Sequence, residues 1–298
     1  MPQKLFELLR GSASTLLIFA NTLLWFIPVL FLGLAKLLLP LRGWRTGCNW
    51  LLDGCATCWI GFNNLVQNAF SGTRMDVVGV DNLTHNEWYM VVANHQSWVD
   101  ILVLQRIFNR KIPFLKFFLK KELIWVPFLG LAWWALDFPF MRRYSRKFLE
   151  KHPQLRGKDI ETTRKACARF RDMPVSVMNF VEGTRFTSAK HSKQGSPYRH
   201  LLQPRAGGVA FTLAAMGDQL HKLVDVTICY PHGIPTFWDY MCGRLKEVRV
   251  KVRVLPIDRT LIGDYFNNPE FQQKFQQWLN GLWSEKEQTL ARLHAAGQ

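Results

Sequence analysis

The pattern of apolar and polar positions divides the chain near residue 70. Residues 12–39 run almost without charge for 28 positions, interrupted by Pro28 and carrying only Lys36 near their end. As a straight helix this run would measure about 42 Å at about 1.5 Å per residue, against a hydrocarbon core of roughly 30 Å. It is expected either to cross a bilayer with tilt or to bend at Pro28 and lie partly in one leaflet. A cleaved signal peptide does not fit, because the run is too long and lacks a small-residue cleavage site. Residues 48–70 mix Trp50, Leu51, Leu52, Trp59, Ile60, Phe62, Leu65 and Val66 with Asn63, Asn64, Gln67 and Asn68. That mixture predicts an interfacial helix pairing with the first. Residues 1–70 are thus expected to form a helical membrane anchor, and residues 71–298 an α/β domain.

Beyond residue 71 the apolar runs shorten. Residues 75–80 alternate enough for an edge strand, and residues 87–93 predict a buried one, with a helix following from Ser97 to about Asn109. Residues 123–136 are very apolar but number only 14 and contain Pro127, too short and broken for a span. They suit a half-buried element lining a lipid-accessible groove, or a plain core segment. Residues 138–140 predict a short strand, residues 158–172 a helix, residues 175–181 a strand, residues 188–203 a polar loop and residues 206–216 a helix of small residues. Residues 224–230 and 248–255 predict two more strands, the latter with one basic face. Phe271, Phe275, Trp278, Leu279, Leu282 and Leu290 recur at helical spacing behind Asn268-Pro269, which predicts a C-terminal amphipathic helix. Strands alternating with helices give an α/β fold with a largely parallel central sheet flanked by helices.

Charge narrows the partners. The formal net charge of +16 points to a polyanion, whether nucleic acid, an anionic membrane surface or a phosphorylated substrate. The apolar N-terminus, 12 Trp and 22 Phe favour a membrane surface. No zinc-finger or RNA-recognition pattern and no disordered basic tail is present, so no nucleic-acid partner is expected. The basic remainder places the domain on the cytosolic side. Six cysteines include a C-x-x-C at Cys55 and Cys58, but without a second pair it is not expected to hold a metal.

The densest chemistry lies in Asn94-His95-Gln96-Ser97-Trp98-Val99-Asp100, between the buried strand and its helix. A neutral imidazole takes a hydroxyl proton near pH 7 when a carboxylate holds its other nitrogen. On a continuous helix, residues five apart are rotated by about 140° at roughly 100° per residue, so they would not meet. The pair requires His95 in a loop and Asp100 in the first helical turn. Ser97-x-x-Asp100 matches a helix-start capping pattern, which also permits a plainer reading in which Asp100 only caps the helix. A second strand ends in Glu182-Gly183-Thr184-Arg185. Gly183 allows a tight turn and Arg185 brings a bidentate fork suited to phosphate. Loops leaving the carboxyl ends of neighbouring strands converge on one crevice.

Four blocks taken together resemble the 1-acylglycerol-3-phosphate (lysophosphatidic acid) acyltransferases of the glycerolipid acyltransferase superfamily. They are the H-x4-D of His95 and Asp100, the stretch from Lys120 to Gly130 continuing to an arginine near Phe140-Met141-Arg142-Arg143, the E-G-T-R of 182–185, and Val226 to Pro231. The resemblance covers roughly residues 71 to 255 and is nearest to the family's bacterial inner-membrane branch. It implies that His95 deprotonates the sn-2 hydroxyl of a lysophospholipid, which attacks an acyl thioester, while Asp100 orients the imidazole. It also implies a phosphate site built from Arg185, Lys120 (of the pair Lys120-Lys121) and Arg143 (of the pair Arg142-Arg143), with Glu182, Gly183 and Thr184 shaping it. The donor would be acyl-CoA or an acyl carrier protein, and no metal or redox cofactor is implied. The expected location is a bacterial inner membrane, with the domain on its cytoplasmic face. The alternatives are another lysophospholipid or an acyl-ornithine-type acceptor, and a non-catalytic protein that binds anionic lipid or RNA.

Overall fold

The computed structural model describes residues 2–141, 170, 173–265 and 267–296. Two long helices come first, α1 (Pro2–Leu38) and α2 (Arg42–Phe70). Then follow β1 (Arg74–Val78), β2 (Tyr89–Ala93), α3 (Val99–Phe108), β3 (Leu115–Phe117), β4 (Leu119–Lys120), a 3-10 turn at Lys121–Trp125, α4 (Leu129–Ala135) and β5 (Phe140–Met141). The second half contains β6 (Ser176–Phe180), helices Ser188–Gln194 and Ala206–Met216, β7 (Lys222–Cys229), a short helix Phe237–Met241, β8 (Glu247–Pro256) and the C-terminal helix Pro269–Ala295.

One six-stranded sheet has the order β1-β8-β7-β2-β6-β3, and β4 pairs with β5 in a separate ribbon. All pairings in the sheet are parallel except that between β7 and β8. The largely parallel arrangement is as expected, and the edge pair β1–β8 runs against the rest. The middle strand β2 is buried at every position. Tyr89, Val91 and Ala93 face the α3 side, packing among Val103, Leu104 and Phe108. Met90 and Val92 face the opposite side, with Val209, Leu279 and Trp283. A strand covered on both faces must be apolar throughout, and that explains the unbroken run Tyr89 to Ala93.

The C-terminal helix starts where the residue pattern places it: the Asn268 side chain accepts from the Phe271 amide and Pro269 occupies the first turn. The stretch 188–203, expected to be a polar loop, contains helix Ser188–Gln194 instead. Its residues have no apolar stripe, and the helix is set by Thr187, whose side chain accepts from the Lys190 amide, and by Gly195 in the left-handed region. The helix expected over 158–172 lies outside the described residues, apart from Phe170.

The helix pair is longer than its apolar runs suggest, because α1 begins at Pro2 and α2 at Arg42. Polar groups interlock the two: the Asn21 side-chain amide donates to Trp59 O at 3.0 Å and Asn63 Oδ1 at 2.9 Å, and the Trp59 indole donates to Thr22 Oγ1 at 3.1 Å. Both ends of α1 are tied to the rest of the chain. Near its start, Glu7 pairs with Arg244 at 2.9 Å and Ser14 Oγ donates to Met241 O at 3.0 Å. Near its end, Lys36 Nζ reaches Asp137 Oδ2 at 2.7 Å and Ala135 O at 3.2 Å. The outward face, with Leu16, Phe19, Leu24, Ile27, Phe31, Leu34 and Leu38, is exposed. Trp125 (85% exposed), Phe128, Leu129 and Leu131 are exposed as well, and Phe128 meets Phe26 of α1 edge to face. The segment 123–136 is therefore half-buried: Ala135 and Leu136 join the core between the helices and its beginning faces outward.

Candidate active site

The site forms where β2, β6 and β7 end. Because β2 lies between the other two, with Ala93 level with both Phe180 and Val226, three successive loops leave the sheet side by side. Asn94 joins the first to the third: its side chain exchanges two 2.9 Å hydrogen bonds with the Ile228 backbone. His95 sits in the loop, and Asp100 lies one residue inside α3.

The carboxylate of Asp100 is fully buried and accepts four hydrogen bonds. Oδ2 takes them from the Gln96 amide (2.6 Å), the Ser97 amide (2.9 Å) and His95 Nδ1 (2.8 Å); Oδ1 takes one from the Tyr230 hydroxyl (2.6 Å). The two readings of the motif are both realised. Asp100 reaches back to the Ser97 amide as a capping residue would, and the same oxygen holds the imidazole. The other half of the capping box is missing, since Ser97 Oγ accepts from the Val99 amide at 3.2 Å and donates to Pro235 O at 2.6 Å. With Nδ1–H donating to Asp100, the other ring nitrogen of His95, Nε2, carries a lone pair. Among the described residues Nε2 has no partner. Phe180 stacks on the ring at 3.8 Å and 11°, and Phe117 stacks behind Phe180.

Glu182 is also fully buried. One oxygen accepts from the His95 amide and the other from the Leu202 amide, each at 2.9 Å. Burial pushes its carboxyl up to about 8, against the pull of those two amides. Glu182, expected to help shape a phosphate pocket, has both oxygens engaged by backbone amides and so ties the His95 loop to the Leu202 segment. Gly183 turns the chain at φ +69°, a conformation that a side chain would strain. Thr184 accepts from Lys190 Nζ at 2.7 Å, and the same ammonium donates to Arg185 O at 3.0 Å. The Arg185 guanidinium lies over the Trp98 ring at 4.7 Å, a cation–π contact that leaves its N–H edges available.

Lys120 is exposed on the β4–β5 ribbon, apart from the six-stranded sheet. Arg143 and its alternative Arg142 lie outside the described residues. Sequence reasoning missed Tyr230, Lys190 and Arg205. Tyr230 was legible in principle: it continues the alternation Val224, Val226, Ile228, which places it on the α3 face of β7. Lys190 and Arg205 carry no such signal, since both stand in polar sequence.

A histidine held by a buried carboxylate, with one nitrogen open and an arginine beside it, defines a site for moving a proton next to an anionic ligand. The comparisons agree with that class. A family model described as Acyltransferase matches residues 74–231, and the chain belongs to the Acyltransferase family. It is 28% identical over 211 residues to 1-acyl-sn-glycerol-3-phosphate acyltransferase delta of Mus musculus, covering 66% of this chain and 51% of that one. It is 24% identical over 289 residues to lysocardiolipin acyltransferase 1 of Gallus gallus, covering 92% of this chain and 68% of that one. The chain spans about half the length of the first of these relatives. The crystal structure of the 1-acyl-sn-glycerophosphate (LPA) acyltransferase PlsC from Thermotoga maritima superposes with a TM-score of 0.50 at 17% identity, over 94% of this chain and 98% of that one. That likeness is one of fold.

Proposed function

We propose that this protein transfers a fatty acyl group from a thioester donor, acyl-CoA or acyl carrier protein, to the sn-2 hydroxyl of 1-acylglycerol-3-phosphate. The observation that carries the reading is the 2.8 Å bond from His95 Nδ1 to Asp100 with Nε2 open. Nε2 takes the proton of the acceptor hydroxyl as its oxygen attacks the thioester carbonyl, and the thiolate leaves as the carbon–sulfur bond breaks. Asp100 holds the tautomer and stabilises the imidazolium that forms. Arg185 holds the acceptor's phosphate, with Lys120 and Arg143 as further cations. Gly183 and Thr184 form the turn that presents it, and Glu182 fixes that turn to the His95 loop. Positioning thus supplies much of the rate. No acyl-enzyme, metal or redox cofactor enters this scheme.

The catalytic end works at a membrane surface. Ties to the rest of the chain from Glu7 to Lys36 support an α1 that lies within one leaflet rather than crossing, with Trp125 and Phe128 dipping beside it. A bacterial inner membrane, with the domain on the cytoplasmic side, is the proposed location. A second reading, acylation of a lysophospholipid whose phosphate is a diester, is favoured by the lysocardiolipin acyltransferase relative, which covers 92% of this chain.

The test is thiol release from oleoyl-CoA and from an oleoyl-acyl carrier protein with purified protein and lysophosphatidate in mixed micelles. His95→Ala is expected to lower turnover by about a thousandfold or more while equilibrium binding of lysophosphatidate persists. Full turnover in that variant would overturn the reading.

A further inference from the structure

We infer that Arg205 is a second phosphate arm, which makes the site selective for an acceptor carrying a phosphomonoester. The inference rests on the acyltransferase reading above and adds a residue that lies outside the four sequence blocks. Arg205 is held beside the E-G-T-R turn by the backbone, its amide donating to Val181 O at 2.9 Å. The segment leading to it is fastened by the buried Glu182, which accepts from the Leu202 amide with one oxygen and from the His95 amide with the other. One carboxyl thus joins the histidine loop and the Arg205 segment into a single unit. The Arg205 side chain runs along Gly183: a β-carbon built there would stand 3.3 Å from its Cδ and 3.7 Å from Nε and Nη1. A β-carbon at 183 would press on Cδ and touch the guanidinium only at ordinary contact distance, so the glycine lets the Arg205 side chain lie close along the turn.

Among the described residues its charge has no counterion. Arg244, Arg249 and Arg253 each pair with carboxylates, whereas the Arg205 guanidinium, exposed, meets no acidic side chain among the described residues. Among the described residues, Arg185, two residues beyond Gly183, engages only the neutral Trp98 ring through its side chain. Two guanidinium groups without a carboxylate partner among the described residues therefore belong to one turn, and the residue that follows it, Phe186, donates its amide to His95 O at 2.7 Å. A phosphomonoester carries close to two negative charges near neutrality and offers three terminal oxygens, enough for two forks, whereas a diester carries one charge and two such oxygens. The arrangement matches the first.

Two measurements test this. Acyl transfer to lysophosphatidate and to lysophosphatidylglycerol is compared in wild type, Arg205→Ala and Arg205→Lys. Losing one charge-assisted arm is expected to lower kcat/KM for the monoester by about 30-fold, through KM, with a change under about threefold for the diester. Lysine, a point charge without the fork, is expected to fall between. The second measurement is equilibrium binding of the same two lipids to His95→Ala and to His95→Ala/Arg205→Ala, which needs no turnover. Loss of binding confined to the monoester supports the arm. Equal losses for both lipids, or none, overturn it, and so does a wild type that prefers the diester. If no lysolipid is acylated, the acyltransferase reading fails, and binding still decides the role of Arg205.

Discussion

Asp100, in the first turn of α3, and Asp225, on β7, are both fully buried carboxylates, and they are satisfied in opposite ways. Asp225, in the middle of β7, is closed by two basic side chains: Lys286 of the C-terminal helix stands at 2.5 Å from one oxygen and Arg253 of β8 at 2.6 Å from the other. Lys286 also donates to Val226 O at 2.6 Å. Burial pulls its ammonium below the usual range, and the Asp225 charge opposes that pull. Among the described residues Asp100 meets no lysine or arginine. Two backbone amides, a tyrosine hydroxyl and the His95 imidazole hold it, and the imidazole keeps one nitrogen open among the described residues. Neutral dipoles can hold a charge while leaving its field available to a neighbour that must gain a proton. A permanent ion pair cancels that field, so the first arrangement suits chemistry and the second cohesion.

The comparison breaks most clearly at Asp100 itself. Asp100→Asn is expected to lower kcat by about a thousandfold or more, because the amide can donate to Nδ1 and impose the wrong tautomer. Circular dichroism should show an intact fold; near-normal turnover would show that Asp100 only caps α3. Lys286→Met should do the reverse. Stripping one partner from a buried pair costs about 3–5 kcal/mol, read as a lower urea midpoint in detergent, while the folded fraction turns over within about twofold of wild type. A large loss of turnover at unchanged stability would assign Lys286 to the chemistry.

Smaller effects sharpen the picture. Tyr230→Phe removes one donor to a charged acceptor and is expected to cost about tenfold in kcat. The carboxylate's charge then falls more fully on the imidazole, so the acid limb of the kcat/KM profile should move to higher pH. An unmoved profile would mean that the hydroxyl only packs. The smallest effect concerns Glu182, whose carboxyl is raised from about 4.5 to about 8 in the fold. Between those values the folded protein holds a proton that the unfolded chain releases. Its contribution to stability is present below the lower value and is lost as pH rises through the upper one. Melting temperatures at pH 5 and pH 9 should show this slope, and Glu182→Gln should flatten it.

Much of this was legible in the residues. The apolar run of α1, the buried β2, the Asn268-Pro269 helix start and the His95–Asp100 and Glu182–Arg185 loops each have a local signature. The helix Ser188–Gln194 did not, because Ser-Ala-Lys-His-Ser-Lys-Gln shows no apolar periodicity and depends on its end residues. The reversed direction of β8 has no local mark either, since alternation reads the same both ways along a strand. Lys286 was hidden by its type, because a lysine among apolar positions of an amphipathic helix reads as a solvated edge, and only Asp225 opposite makes its burial tolerable.

By itself, then, the sequence determined most of the helices and strands and marked two loops as candidates for chemistry, because periodicity and motif spacing are properties of neighbours along the chain. Tertiary structure alone decided that Tyr230 joins the partners of Asp100, that Glu182 ties the His95 loop to the Leu202 segment, and that Arg205 lies along Gly183. The Tyr230–Asp100, Glu182–Leu202 and Gly183–Arg205 contacts join residues 20 to 130 positions apart. Only the sheet order, with β2 between β6 and β7, brings them within hydrogen-bonding or packing distance, and no local pattern encodes that order.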